Sequence, residues 1–248
     1  MEEALEPQQA NKDVTFDDIL KKVGEFGPFQ IVLYIMFSLP YLETAMQLMG
    51  WVFVGAKPAH ICNGTNATYL ANVEDQVTSS VTIDWDLICD RAELHASIGA
   101  APMVGYILGG FIFGSLSDKL GRKPTFLLSN FILLASGLGC SLAPNYSLFA
   151  ISRLIVGMSI AGVEASCFVM GMELVGPSKR TLAGILCWFF ETGGLILAVG
   201  IAYAVQDNWR LLQALYSLPA LLFYVYAWAP PESVRWLLSS QNTTKAER

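Results

Sequence analysis

The sequence predicts an all-α integral membrane protein, and three observations carry that prediction. Of its 248 residues, 54% are hydrophobic and only 15% charged, against about 25% charged in soluble domains. The apolar residues gather in six runs near the roughly 20 residues that cross a bilayer core. Lysine and arginine collect in alternate connections between those runs, as the positive-inside bias of insertion requires. The mean hydropathy of +0.47 belongs to a chain too poor in polar surface to cover one soluble core. A net charge of −6 argues against a nucleic-acid partner, which needs a basic face. Two histidines offer little for a metal or acid–base site.

Residues 1–27 are polar and acidic and lack the apolar segment of a cleavable signal, so the first run is expected to insert as its own anchor. The expected spans are 28–54, 95–116, 125–143, 147–171, 181–205 and 211–230, making one bundle over 28–230 with a tail over 231–248. Pro40 removes a backbone donor from the first span, which is expected to bend and free a carbonyl toward a cavity. The second span carries Gly105-x-x-x-Gly109, with Gly110 and Gly114 spaced alike, a face another helix can approach closely. The fourth is least regular at its inner end, where Glu164 and Glu173 interrupt the apolar run. Trp51, Phe53, Trp228 and Trp236 fall near span ends, where interfacial anchors belong.

Eleven basic residues fall on one side of these spans and three, Lys57, Arg91 and Arg210, on the other. Both termini are therefore expected in the cytoplasm, and the long connection 56–94 outside. That loop carries six acids and two glycosylation acceptors, Asn63-Gly-Thr65 and Asn66-Ala-Thr68. It also holds Cys62 and Cys89. An oxidising exterior favours a bridge between them, two free thiols being the alternative. Cys140, Cys167 and Cys187 fall in spans, as small packing residues do.

The connection after the second span reads Gly114-Ser-Leu-Ser-Asp118-Lys-Leu-Gly121-Arg122-Lys123-Pro124. Gly114 permits close helix approach, Gly121 supports a reversal, and Pro124 suits the first turn of the next helix. The pattern resembles the signature loop of the major facilitator superfamily of transporters. Arg153-Leu-Ile-Val-Gly157 resembles an intramembrane element of the same superfamily. Pro231-Glu232-Ser233-Val234-Arg235-Trp236-Leu237-Leu238 resembles a motif shared by sugar porters and organic ion transporters, with Val234 in place of the usual second proline. Three further features narrow the resemblance to the organic cation/anion/carnitine transporter family. They are Gly27-Pro28-Phe29-Gln30, the long outer loop ending Trp85-Asp86-Leu87-Ile88-Cys89-Asp90, and Asn208-Trp209-Arg210 with Gln213 and Pro219. That family's outer loop usually has more cysteines, so its disulfide pattern is not carried over.

The resemblance, over about residues 24–240, implies twelve spans in two six-helix halves, with this chain as the N-terminal half. Substrate would sit near the midplane between halves that rock against each other. One half would lack a closed cavity and is not expected to transport unless it pairs with a second copy or another half. The resemblance also implies that Gly114, Asp118, Gly121, Arg122, Glu173, Glu232 and Arg235 form a network that latches the inner gate. The alternative is ordinary interfacial solvation of those charges.

Four ionisable residues fall inside spans, where a charge costs about 3 kcal/mol or more and faces the protein interior. They are Glu43, Arg153, Glu164 and Glu191. Arg153 and Glu164 lie within about 20° of each other on one helical stripe, but their rise of roughly 16 Å excludes a direct pair. Glu191 follows Trp188-Phe-Phe, and a carboxylate among aromatic rings suits an organic cation by Coulomb attraction and cation–π contact. Pairing with Arg153 or protonation is the alternative. Glu43 and Gln47 follow Pro40 and are candidates to line the cavity. The candidate substrate-binding set is Glu43, Gln47, Arg153, Glu164, Trp188 and Glu191. Three membrane carboxylates against one arginine point to small organic cations or zwitterions, carried across the plasma membrane without a cofactor. A sugar porter, disfavoured by the long outer loop, and a transport-incompetent regulatory or receptor-like protein are the other readings. No phosphate loop, zinc-ligand spacing or nucleophile elbow suggests an enzyme.

Overall fold

The computed structural model describes residues 27–58, 60–63, 66–69, 79–205, 208–227 and Glu232, with backbone alone for 60–63, 66–69 and Ala227. The first span is two abutting helices, Pro28–Ser38 and Pro40–Val54. An antiparallel hairpin follows, β1 (His60–Asn63) and β2 (Asn66–Tyr69), with Asn63 opposite Asn66. This hairpin is the one departure from all-α architecture among the described residues. A short helix, Val81–Asp84, is capped by Ser80. The second span runs Ala92–Leu120, the third Arg122–Leu142, the fourth Tyr146–Glu173 and the fifth Arg180–Ala204. These five are long and apolar enough to cross a membrane. Glu164 does not interrupt the fourth, because an acid on one face leaves the backbone ladder intact.

The sixth expected span departs from a single helix. Trp209–Ser217 is α-helical, its start capped by the Asn208 side chain, and Leu218–Ala227 continues as a tighter 3-10 coil. Pro219 supplies the reason, since its ring clashes with the carbonyl four residues back and its nitrogen donates nothing.

Pro40 acts on the first span in a related way. Leu39, where the two helices abut, keeps a helical conformation (φ −59°, ψ −38°). The Met36 carbonyl, which loses its i+4 donor, accepts the Tyr226 hydroxyl from the sixth span. That carbonyl also accepts the Leu39 amide (3.3 Å), and Met36 and Tyr226 both line a cavity between the first, fifth and sixth spans.

The first and fourth spans are the most buried and the second and fifth the least. Glycine sets how closely the second and fourth pack. A methyl on Gly105 or Gly109 would overlap the backbone of Leu154 or Met158, and one on Gly157 would overlap Pro102. Gly110 and Gly114, expected to share that role, have no such neighbour within 4 Å.

At the hairpin end, aromatic rings close the bundle. Trp85, Phe149 and Trp209 meet at centroid distances of 5.4 to 5.8 Å, and the Trp209 indole donates to Asp84 (2.8 Å). Trp51, expected as an interfacial anchor, lies against His95 (4.9 Å) and Phe149 (6.3 Å). Trp228 and Trp236 lie outside the described residues.

The glycine contacts separate two classes of substitution. Gly105→Ala, Gly109→Ala or Gly157→Ala is expected to destabilise by about 1–3 kcal/mol through overpacking, read as a lower thermal midpoint in detergent. Gly110→Ala should leave the midpoint in place. Equal losses at both kinds of position would remove the assigned packing face.

Candidate functional site

A cavity of about 400 Å³ opens among the first, second, fourth and fifth spans. Helical spacing explains its lining. Ala161, Glu164, Ala165 and Phe168 form one stripe of the fourth span, Cys187, Trp188 and Glu191 one of the fifth, Tyr106 and Gly110 one of the second. Tyr41 and Leu48 come from the first. Small residues on the fourth span leave the space, and two carboxylates and four aromatic rings border it. The Tyr106 hydroxyl donates to Glu164 Oε2 (2.8 Å), and the Tyr41 hydroxyl to the Glu164 carbonyl (3.1 Å). Glu191 is half-buried and Trp188 is 67% exposed to the opening. Among the described residues, no lysine or arginine lines the cavity. Two acids in a low-dielectric recess with no base beside them create a negative potential that favours a cation.

Of the six residues expected at the substrate, Glu164, Trp188 and Glu191 meet here. The other three lie elsewhere. Arg153 is 1% exposed, and its Nη1 donates to the Gln47 carbonyl (3.1 Å) while its guanidinium lies 5.7 Å from the Trp51 ring centre. It therefore joins the first and fourth spans rather than pairing with Glu191. The Gln47 side chain donates to Ser217 Oγ (2.8 Å) and accepts from Gln213 Nε2 (2.9 Å), tying the first span to the sixth. Glu43 is buried between the first, fifth and sixth spans. Tyr41, Tyr106 and Phe168 were not expected at the cavity. Phe168 is recoverable as the i+4 neighbour of Glu164, whereas Tyr106 requires knowing which span faces the fourth.

A second polar cluster lies at the opposite end from the hairpin. Gly121 has φ +107°, a conformation that glycine alone adopts readily. The reversal it makes presents the start of the third span to Glu232. One Glu232 oxygen accepts from the Arg122 and Lys123 amides (2.9 and 3.0 Å), where a helix N-terminus favours a negative charge. A Cβ on Gly121 would stand 3.2 Å from the other oxygen. The Arg122 guanidinium pairs with Asp118 (2.7 Å) and donates to Ser117 (2.9 Å). Gly114 lies one turn before Asp118. Glu173 ends the fourth span half-buried, and Arg235 lies outside the described residues.

Cys89 is disulfide-bonded, while Cys140, Cys167 and Cys187 are free and buried. The side chains of Cys62, Asn63 and Asn66 lie outside the described residues.

Residues 61–248 match the model of the sugar (and other) transporter family. The chain is 35% identical to the organic cation transporter protein of Drosophila melanogaster, covering 93% of this chain and 51% of that one. It is 30% identical to organic anion transporter 3 of Sus scrofa, covering 94% and 50%. It spans about half the length of the relatives it matches. Among solved structures it resembles the proton:xylose symporter XylE bound to 6-bromo-6-deoxy-D-glucose, with a TM-score of 0.68 at 20% identity over 88% of this chain and 48% of that one.

The Glu232 contact yields a local measurement. Glu232→Ala is expected to cost about 1–2 kcal/mol at the third-span N-terminus. Arg122 and Lys123 amides should then exchange about tenfold faster, while the Leu133 amide stays protected. Unchanged exchange at 122 and 123 would show that the contact carries no stability.

Proposed function

We propose that this chain, which belongs to the sugar (and other) transporter family of the major facilitator superfamily and is homologous to organic cation and anion transporters, is the N-terminal six-span half of a carrier for small organic cations or zwitterions. The observation that carries this reading is the cavity whose only formal charges among the described residues are Glu164 and Glu191. Relatives are named for both cations and anions, so the names do not choose between them. The local chemistry does. A quaternary or protonated amine gains Coulomb attraction to the carboxylates and cation–π contact with Trp188 and Tyr106. An anion would meet two like charges in a medium that screens them poorly.

Transport then needs no bond to be made or broken. Substrate selects between two arrangements of this bundle against its partner half, in proportion to its differential affinity for them. In this reading Glu191 and Trp188 hold the ammonium, Tyr106 orients Glu164, and Arg153 and Gln47 keep the first and fourth spans moving as one body. Gly114, Gly121 and the charges of Asp118, Arg122, Glu173, Glu232 and Arg235 form the latch of the inner gate. The bias of basic residues supports cytoplasmic termini at the plasma membrane. The hairpin would then face outside, with Asn63 and Asn66 glycosylated and Cys62 bridged to Cys89.

The test is uptake by proteoliposomes holding this chain together with a C-terminal half from a homologous carrier. Labelled quaternary ammonium should be carried in preference to a carboxylate of equal size. Glu191→Gln and Glu164→Gln should each lower cation uptake about tenfold, the loss of roughly 1.4 kcal/mol of charge contact. Preferential carriage of the anion, unaffected by either variant, would reverse the charge assignment. The chain alone, verified as monomeric, should show no uptake, and efficient uptake by the monomer would overturn the half-carrier reading.

A further inference from the structure

We propose that the bundle holds a second binding site, for a hydrophobic amine drawn from the bilayer, in a cavity between the first, fifth and sixth spans with Glu43 as its anion. The cavity measures about 400 Å³, within the range of small-ligand sites. Leu42 and Met46 of the first span, Leu197 of the fifth, and Leu222 and Val225 of the sixth give it apolar walls. It shares no lining residue with the cavity of Glu164 and Glu191. On the first span, Glu43 stands at least about 140° around the helix from Tyr41 and Leu48, which line that other cavity.

Glu43 is 1% exposed, and neither carboxylate oxygen has a hydrogen-bond partner among the described residues. The Ala220 backbone amide approaches without reaching hydrogen-bond geometry. Buried carboxylates are ordinarily paired or fully hydrogen-bonded, because leaving them bare forfeits hydration without replacement. Among the described residues the fold supplies neither a cation nor a hydrogen-bonded donor to this carboxylate, yet Glu43 lines the cavity. An ammonium group supplies both charge and donors at one point.

The mouth decides the rest of the ligand. Leu197, Leu222 and Val225 are 47%, 70% and 55% exposed, so the rim is apolar on the outer surface of the sixth and fifth spans. A ligand entering there comes through hydrocarbon and needs an alkyl or aryl body. An amine arriving neutral takes the proton of a protonated Glu43 onto nitrogen, and one arriving as ammonium keeps its own and pairs with Glu43 once the carboxyl proton has left to water. Either way one proton lies between nitrogen and carboxylate. This site uses none of the residues on which the carrier reading rests.

The experiment places the full chain in phosphatidylcholine nanodiscs and adds a photoreactive alkylamine or an alcohol of the same chain length. Labelled peptides are then mapped by mass spectrometry. The amine should label the peptide of Leu222 and Val225 at least tenfold more than the alcohol does. Glu43→Gln should abolish that preference, and Glu191→Gln should preserve it. Leu222→Trp, which narrows the mouth from an exposed position and leaves the carboxylate untouched, should lower amine labelling at least tenfold. Equal labelling by amine and alcohol, an unchanged preference in Glu43→Gln, or amine label confined to the Tyr106 and Trp188 peptides would each overturn the site. Should Glu43→Gln fail to fold, Leu222→Trp decides: undiminished amine labelling there overturns it. Uptake lost in Glu191→Gln but retained in Glu43→Gln would separate the two cavities.

Discussion

Hydrocarbon offers no hydrogen bonds, so each polar group in this bundle has to find its partner within the protein. The arrangement of the spans follows from how those partners are found. Pro40 strips a donor from the first span, and Tyr226 of the sixth supplies one to the Met36 carbonyl. Gln47 joins Gln213 and Ser217, and Asn130 donates to the Ala220 carbonyl. Each link runs from the first or third span to the sixth, at or beside the backbone that Pro219 distorts. The irregular sixth span is thus held by polar contacts that a regular helix would not need.

Arg153 is the most demanding case. A guanidinium taken fully out of water loses several kcal/mol of hydration, and here it recovers a carbonyl and an aromatic face rather than a carboxylate. The result is a tie between the first and fourth spans at the hairpin end, beside the Trp51, Phe149, Trp85 and Trp209 rings. At the other end, Glu232 ties the segment after the sixth span to the start of the third. Between these two ends the fourth span carries alanine and glycine, and the cavity occupies the room they leave.

Glycine placement explains why that room opens on one side. Gly105, Gly109 and Gly157 bring the second and fourth spans into backbone contact. Gly110, one residue further round the second span, then faces the cavity instead of a helix. Close packing and open space are two faces of the same glycine-rich segment. Tyr106, next to Gly105, is carried by the same rotation to the Glu164 carboxylate.

The sequence by itself determined the helical membrane class, five spans nearly to their ends, the charge asymmetry of the connections and the reversal at Gly121. All of these depend on local composition and on periodicities that a chain carries along its length. It also marked Glu164, Trp188 and Glu191, because a charge in an apolar run is conspicuous wherever the run folds. Tertiary structure alone decided which polar residues share a space. Glu43, Gln47 and Arg153 are as conspicuous as Glu191 in one dimension, yet Glu43 and Gln47 turn toward the sixth span and Arg153 toward the Trp51 ring. That choice depends on which helix lies opposite each face. The hairpin and the 3-10 coil after Ser217 were likewise hidden: one depends on pairing between short polar strands, the other on a proline whose effect is set by the helices around it.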